Sequence, residues 1–346
     1  MRRFAACVAL RPLACVSALG CMLFAGAAAS SQTLKAVKDR GAVACGVSQG
    51  VIGFSAQSED KIWSGIDVDF CRALAAAIFD DASKVTFVPL SADERFQALQ
   101  AKTIDVLSRN STWTMGRETE QGLLFAGVNF YDGQGFLVGH ARNLTSALEL
   151  TGSKVCVQSG TTTELNLRDY FVANGMRYET VPAGTLREAL AAYVEGRCDV
   201  LTGDASALHG ERLKTPQPAE HDILPEIISK EPLGPAVRQD DVQWFNIVKW
   251  VNFAMLDAEE LGVSSETIDV ALVSTNPELK RLVGSEGNFG EQLGLTGDWV
   301  VRIIRRVGNY AEVYDRNIGV KSKLGIPRGI NQLWISGGIL YAPPIR

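Results

Sequence analysis

Histidine is almost missing from this chain, with three in 346 residues, all scattered. With so few imidazoles and no two cysteines at ligand spacing, the residues offer no zinc centre. Positive charge is also short. Lys and Arg number 34 against 39 Asp and Glu, a net charge of −5, and no long basic run is present. That balance argues against nucleic acid as a partner, because phosphate contacts need clustered Lys and Arg. Beyond residue 29 no run of about 18 or more apolar residues occurs, so the mature protein is expected to be soluble. Nothing in the chain asks for a cofactor.

The amino terminus reads as an address rather than as part of a fold. Arg2 and Arg3 form a short positive segment and Ala5 to Phe24 an apolar stretch. Ala27-Ala28-Ala29 supplies the small residues of a cleavage site. The spacing predicts a secretory signal over residues 1–29, cleaved near Ala29. Of seven cysteines, Cys7, Cys15 and Cys21 lie in that signal, leaving Cys45, Cys71, Cys156 and Cys198. An oxidising compartment favours one disulfide in each half, Cys45–Cys71 and Cys156–Cys198. Four cysteines permit three pairings, and buried free thiols are the alternative.

One short phrase occurs twice. Asp105-Val106-Leu107-Ser108-Arg109-Asn110 returns in pattern as Asp199-Val200-Leu201-Thr202-Gly203-Asp204, each copy after an apolar-periodic helix. Helix, aspartate and short apolar strand make one piece of an α/β unit, and ligands in open α/β sheets sit beyond the carboxyl ends of such strands. Strands such as Val43 to Val47 and Val85 to Pro89 alternate with a helix from Asp67 to Phe79, which implies parallel βαβ units. A second alternating block runs from Lys154 to about Ile228. Turn residues thin the pattern near Asp132-Gly133 and again at Glu231-Pro232-Leu233-Gly234-Pro235. The length suits two lobes. No second core-sized block follows Pro235, so the chain is expected to return to its first lobe. The division is residues 30–131 with 233–346 for lobe 1, carrying a C-terminal extension, and 132–232 for lobe 2. The fold class is α/β: two βαβ lobes joined by a two-strand hinge.

In Gly65-Ile66-Asp67-Val68-Asp69-Phe70-Cys71-Arg72, two carboxylates stand two residues apart. On a helix they do not share a face. Asp67 is read as the cap and Asp69 as a first-turn acid in the positive end of the dipole. Gly160-Thr161-Thr162-Thr163-Glu164 follows a strand and opens a helix, with Thr161 and Glu164 spaced as a capping box. Free amides at such an end make an anion site.

The Gly65 stretch, Asp105 to Arg117, Gly160-Thr161-Thr162, Asp199 to Asp204 and Tyr310 to Tyr314 together resemble the polar amino-acid class of periplasmic solute-binding proteins, which serve ABC transporters. The four cysteines, Arg109 to Thr114 and Gly337 to Pro344 are most similar to the general L-amino-acid-binding proteins, a type II periplasmic-binding-protein fold. The resemblance implies that Arg117 pairs with a ligand α-carboxylate, aided by Thr112 and Thr162. It implies that Asn110 and Asp204 receive the α-ammonium. Basic-amino-acid binders place an acid where this chain has Ser48, and a stacking aromatic is missing at Ala92. Both departures imply a roomier, less charged side-chain pocket and broad specificity. Phe54 and Trp113 line that pocket or belong to the core. The expected partners are one L-amino acid and an inner-membrane ABC permease, and the expected state is a periplasmic monomer without cofactor. An enzyme on the same scaffold is the rival reading. No histidine, reactive cysteine or extra carboxylate is expected in the cleft to support it.

Overall fold

The computed structural model describes residues 32–346. The expected signal and its three cysteines lie outside the described residues. Two five-stranded sheets organise the rest. In the first, Val43–Val47 is flanked in parallel by Val85–Pro89 and Val106–Leu107, and Ala236–Arg238 then runs antiparallel beside Leu123–Phe125. In the second, Lys154–Gln158 is flanked in parallel by Glu179–Ala183 and Val200–Asp204. Gln134–Gly139 then pairs antiparallel with both Val200–Asp204 and His221–Ile223. All five residues of Val43–Val47 are buried, as a strand covered on both faces requires.

In each sheet the fourth strand is made by chain that has just arrived from the other sheet. The two crossings pair with one another. Phe130–Asp132 runs antiparallel to Glu231–Leu233, with Asp132 opposite Glu231 and Phe130 opposite Leu233. The lobes are therefore joined by a two-stranded ribbon, in the place where the sequence shows only turn residues.

After this ribbon the chain packs back onto the first sheet. Val242–Glu260, capped by Asp241 through the Trp244 amide, shares one core with Val43, Val47, Leu74 and Val106. Trp299–Arg306 and Tyr310–Asn317 join that core, as do Leu333, Leu340 and Ala342 of the tail. Between these helices lie three short ones, Ile268–Leu272, Pro277–Leu282 and Phe289–Leu293. The second sheet has two smaller clusters, one around Phe136, Phe171 and Val200 and one around Leu190, Leu201 and Leu208.

The helix Ile66–Phe79 departs from its expected one-sided pattern. Ile66, Val68, Phe70, Cys71, Leu74 and Ala77 are all buried, because the returning C-terminal helices cover the face that would otherwise meet water. Its cap is Gly65, not Asp67. Gly65 has φ 131°, and a Cβ there would lie 2.0 Å from the Phe54 carbonyl oxygen. Only glycine fits. Asp67, the second residue of the helix, is freed for another task.

Cys45 bonds to Cys71, tying the strand Val43–Val47 to this helix, and Cys156 bonds to Cys198 in the second lobe. The bridges close loops with sequence separations of 26 and 42 residues. Cross-links of this kind stabilise mainly by limiting the unfolded chain, by about 2–4 kcal/mol each. Replacing Cys156 and Cys198 together by Ser should lower unfolding free energy by about that amount in a urea titration. An unchanged midpoint would show that the second lobe does not depend on its bridge.

Candidate functional site

The carboxyl ends of Val106–Leu107 and Val200–Asp204 face one another across the cleft between the sheets. Asn110 follows the first. Its backbone sits at φ 34°, a left-handed value that asparagine tolerates better than most residues. The buried Asp67 carboxylate holds this turn, accepting from the Asn110 amide at 2.7 Å and the Ser108 hydroxyl at 2.9 Å. Burial pushes the Asp67 carboxyl up to about 6, against the pull of those two bonds and of Arg109. The Asn110 side chain donates from Nδ2 to Asp204 at 3.4 Å, so the two copies of the repeated phrase touch.

Asp204 occupies the cap position of the helix Ala205–Lys214 yet makes no capping bond with its side chain. Asp132 of the ribbon receives the Ser206 hydroxyl and amide instead. The Asp204 carboxylate is left to face the cleft. Burial, then Asp132 and Glu231, raise its pKa well above the ordinary carboxylate range, while Asn110 and Arg117 pull it back. Burial also takes Asp132 up to about 6, with Glu231 adding to the rise.

Arg117 lies in the short helix Met115–Thr119, capped by Thr114. Its guanidinium donates to the Thr112 carbonyl and stacks 5.3 Å from the centre of the Phe96 ring. Burial lowers its pKa, offset by Glu231 and Asp204. Thr112 and Thr162, from opposite lobes, have their hydroxyl oxygens 3.3 Å apart. The helix Thr162–Ala173 receives no side-chain cap. The expected capping box does not form: Thr161 donates to the Gln158 carbonyl, and Glu164 accepts from the Gly160 amide rather than from that of Thr161. Thr161 thereby leaves its helix amides to other partners, which suits an anion.

Arg117, Thr112, Thr162, Asn110 and Asp204 are thus brought together. They border a cavity of ≈ 50 Å³. Ser48 is not on its wall. It is buried and hydrogen-bonded to Ser55, and it borders an adjoining cavity of ≈ 330 Å³. Ala92 is buried away from the cavity, and Phe54 is a core residue set edge-on to Phe130 at 5.2 Å. Trp113 stacks on Phe125 at 5.7 Å with 37% of its surface exposed.

Two expectations need correction. The pocket is not poor in charge: Arg95 and Arg109, both buried, stand on its wall beside Arg117. Extra carboxylates do reach the cleft, namely Asp132 and Glu231. Glu231 is 1% exposed and accepts from the hydroxyls of Thr112, Thr162 and Ser229 and from Asn166 Nδ2. A signal for Arg95 was present, since a cation opening a helix opposes the dipole as Arg117 does. For Glu231 there was none, because it lies in a segment that reads as a linker.

The lobes also meet outside the site, where Lys214 Nζ donates to the Gly50 carbonyl at 3.0 Å. Two facing sets of polar groups, one cationic with hydroxyls and one anionic, suit a small zwitterion. No helix among the described residues is long and apolar enough to cross a membrane, and no cluster of metal-binding side chains occurs among them.

Comparison with known proteins agrees. Residues 43–264 match the model of the bacterial extracellular solute-binding proteins, family 3. The general L-amino acid-binding periplasmic protein AapJ of Rhizobium johnstonii is 53% identical over 95% of this chain and 98% of that protein. The glutamate/glutamine/aspartate/asparagine-binding protein BztA of Rhodobacter capsulatus is 47% identical over 94% and 96%. A solved ABC-transporter periplasmic binding protein from Brucella ovis with glutathione bound is 51% identical. It superposes with a TM-score of 0.90, covering 92% of this chain and all of that one. The two-lobed α/β architecture is the type II periplasmic-binding-protein fold, and the chain belongs to the bacterial extracellular solute-binding proteins, family 3.

Proposed function

We propose that this protein captures one free L-amino acid between its lobes and hands it to an inner-membrane ABC permease. One observation carries this reading. Arg117 with the hydroxyls of Thr112 and Thr162 stands on one side of the cavity, and Asp204 with Asn110 on the other. A guanidinium grips a carboxylate bidentately, and a lone carboxylate receives an ammonium. Ligand entry exchanges the Asn110–Asp204 and Thr112–Thr162 contacts for contacts to the amino acid, so binding favours the closed form. The names of the relatives, which include general L-amino-acid and glutamate/glutamine/aspartate/asparagine binding, support the same class of ligand.

The working division is residues 30–131 with 233–346 against 132–232, preceded by a cleaved signal over 1–29. The protein acts in the periplasm as a monomer. Catalysis on this fold would need an acid or base free to act. Glu231 and Asp132 are both committed to hydrogen bonds with neighbouring hydroxyls and amides, which favours binding over turnover.

Arg117→Ala should weaken every amino acid by about 100-fold or more while the circular dichroism stays that of the wild type. Near-normal affinity by calorimetry would remove the assignment. Binding should also release protons. Asp204 faces Asp132, Glu231, Asn110 and Arg117, and in the free protein it holds its proton above the ordinary carboxylate range. An arriving ammonium favours the ionised form. Affinity should therefore rise with pH above the ordinary carboxylate range and level off once Asp204 is ionised beforehand. Titrations in two buffers of different ionisation enthalpy measure the release directly; equal heats would refute the linkage.

A further inference from the structure

Arg95 is a buried cation with orphaned donors among the described residues. It is 3% exposed, and its Nε and Nη2 atoms find no partner among the described residues. Burying a guanidinium with unmet donors is costly, and such groups are rare in native structures. Two further features add to the cost. Arg95 opens the helix Arg95–Gln100, where the dipole opposes a cation. Arg109 and Arg117 add like charge, and with burial they hold the Arg95 pKa well below its ordinary range.

The charges around the cavity locate the surplus. Its wall carries three guanidiniums, from Arg95, Arg109 and Arg117, and one carboxylate, Asp204. A zwitterion uses one cation and one anion. Arg117 and Asp204 are those two on the reading above, on which this inference rests. Arg109 is occupied, with Nε donating to the Leu90 carbonyl at 2.9 Å and Asp67 as its nearest acid. Glu231 is saturated by four donors, and Asp93, the remaining acid that acts on Arg95, is exposed at the rim. The donors left over belong to Arg95. Its ring partner is Phe96, 4.6 Å from the guanidinium, which fixes the plane of the group without using its N–H bonds.

We infer that Arg95 is a specificity-determining residue that reads an anionic group on the ligand side chain, with Arg109 in support. The favoured ligands are dicarboxylic L-amino acids, glutamate or aspartate. A second carboxylate meets the orphaned donors and offsets the surplus charge in one step. An uncharged side chain does neither. The cleft thus still admits many amino acids but ranks them by charge.

Glutamate and glutamine differ little except in that charge, so calorimetry on the wild-type protein reads the effect without any substitution. Glutamate should bind at least about tenfold more tightly than glutamine or leucine, and the advantage should shrink as salt is raised. Arg95→Met should erase the advantage, costing glutamate at least about tenfold more than leucine. Arg95→Lys, which keeps a charge, should retain part of it and serves where Arg95→Met does not fold. A wild-type glutamate-to-glutamine ratio near one would overturn the assignment, as would an equal loss of leucine and glutamate in Arg95→Met. If no amino acid gives heat with the wild type, the amino-acid reading itself fails. Binding without preference for acids overturns only the role of Arg95.

Discussion

Two carboxylates stand directly opposite one another in the ribbon that joins the lobes, Asp132 on one strand and Glu231 on the other. Like charges in facing positions of an antiparallel pair repel. The surroundings answer that repulsion. Ser206 and Gly133 bind Asp132, and Thr112, Thr162, Asn166 and Ser229 bind Glu231. Those donors come from both lobes, so the groups that quiet the ribbon are the same ones that frame the cleft. The site is built around this pair.

The cationic side follows from it. Glu231 and Asp204 return to Arg117 part of what it loses by burial, and burial with the acids Asp132 and Glu231 raises the Asp204 pKa. Neither set of charges would be tolerated alone at this depth. Together they leave a cleft that is close to balanced except at Arg95. A ligand therefore enters a field already arranged, and pre-arranged polar groups are what make a small site selective.

The sequence makes most of the framework legible. Short apolar strands alternating with helices, the helix after Gly65 and the repeated Asp-Val-Leu phrase mark both sheets, because local pattern sets local structure. Asn110, Thr112, Arg117, Thr162 and Asp204 fall together because each lies at the end of such an element. Side-chain tasks are harder to read. Asp67 looks like a cap, and only the tight approach of Gly65 to Phe54 shows why it is not. Thr161 turns its hydroxyl back to Gln158, a choice that spacing cannot reveal. Ser48 follows the first strand but spends its hydroxyl on Ser55 and stays off the wall of the cavity. Glu231 escapes because its partners lie up to 119 residues away, and the dipole signal at Arg95 does not reveal that its donors find no partner among the described residues.

The two lobes are unequal in bulk. Tail residues Leu333, Leu340 and Ala342 merge with the core of the first sheet, whereas the second sheet rests on two small clusters. Contact-poor bodies open at lower free energy than contact-rich ones. Any swing about the ribbon thus carries a light jaw against a heavy one. The light jaw bears Thr162 and Asp204. On the function proposed above, the residue on the moving side is then the one whose proton state changes with the ligand, so the chemical event and the mechanical one belong to the same small body.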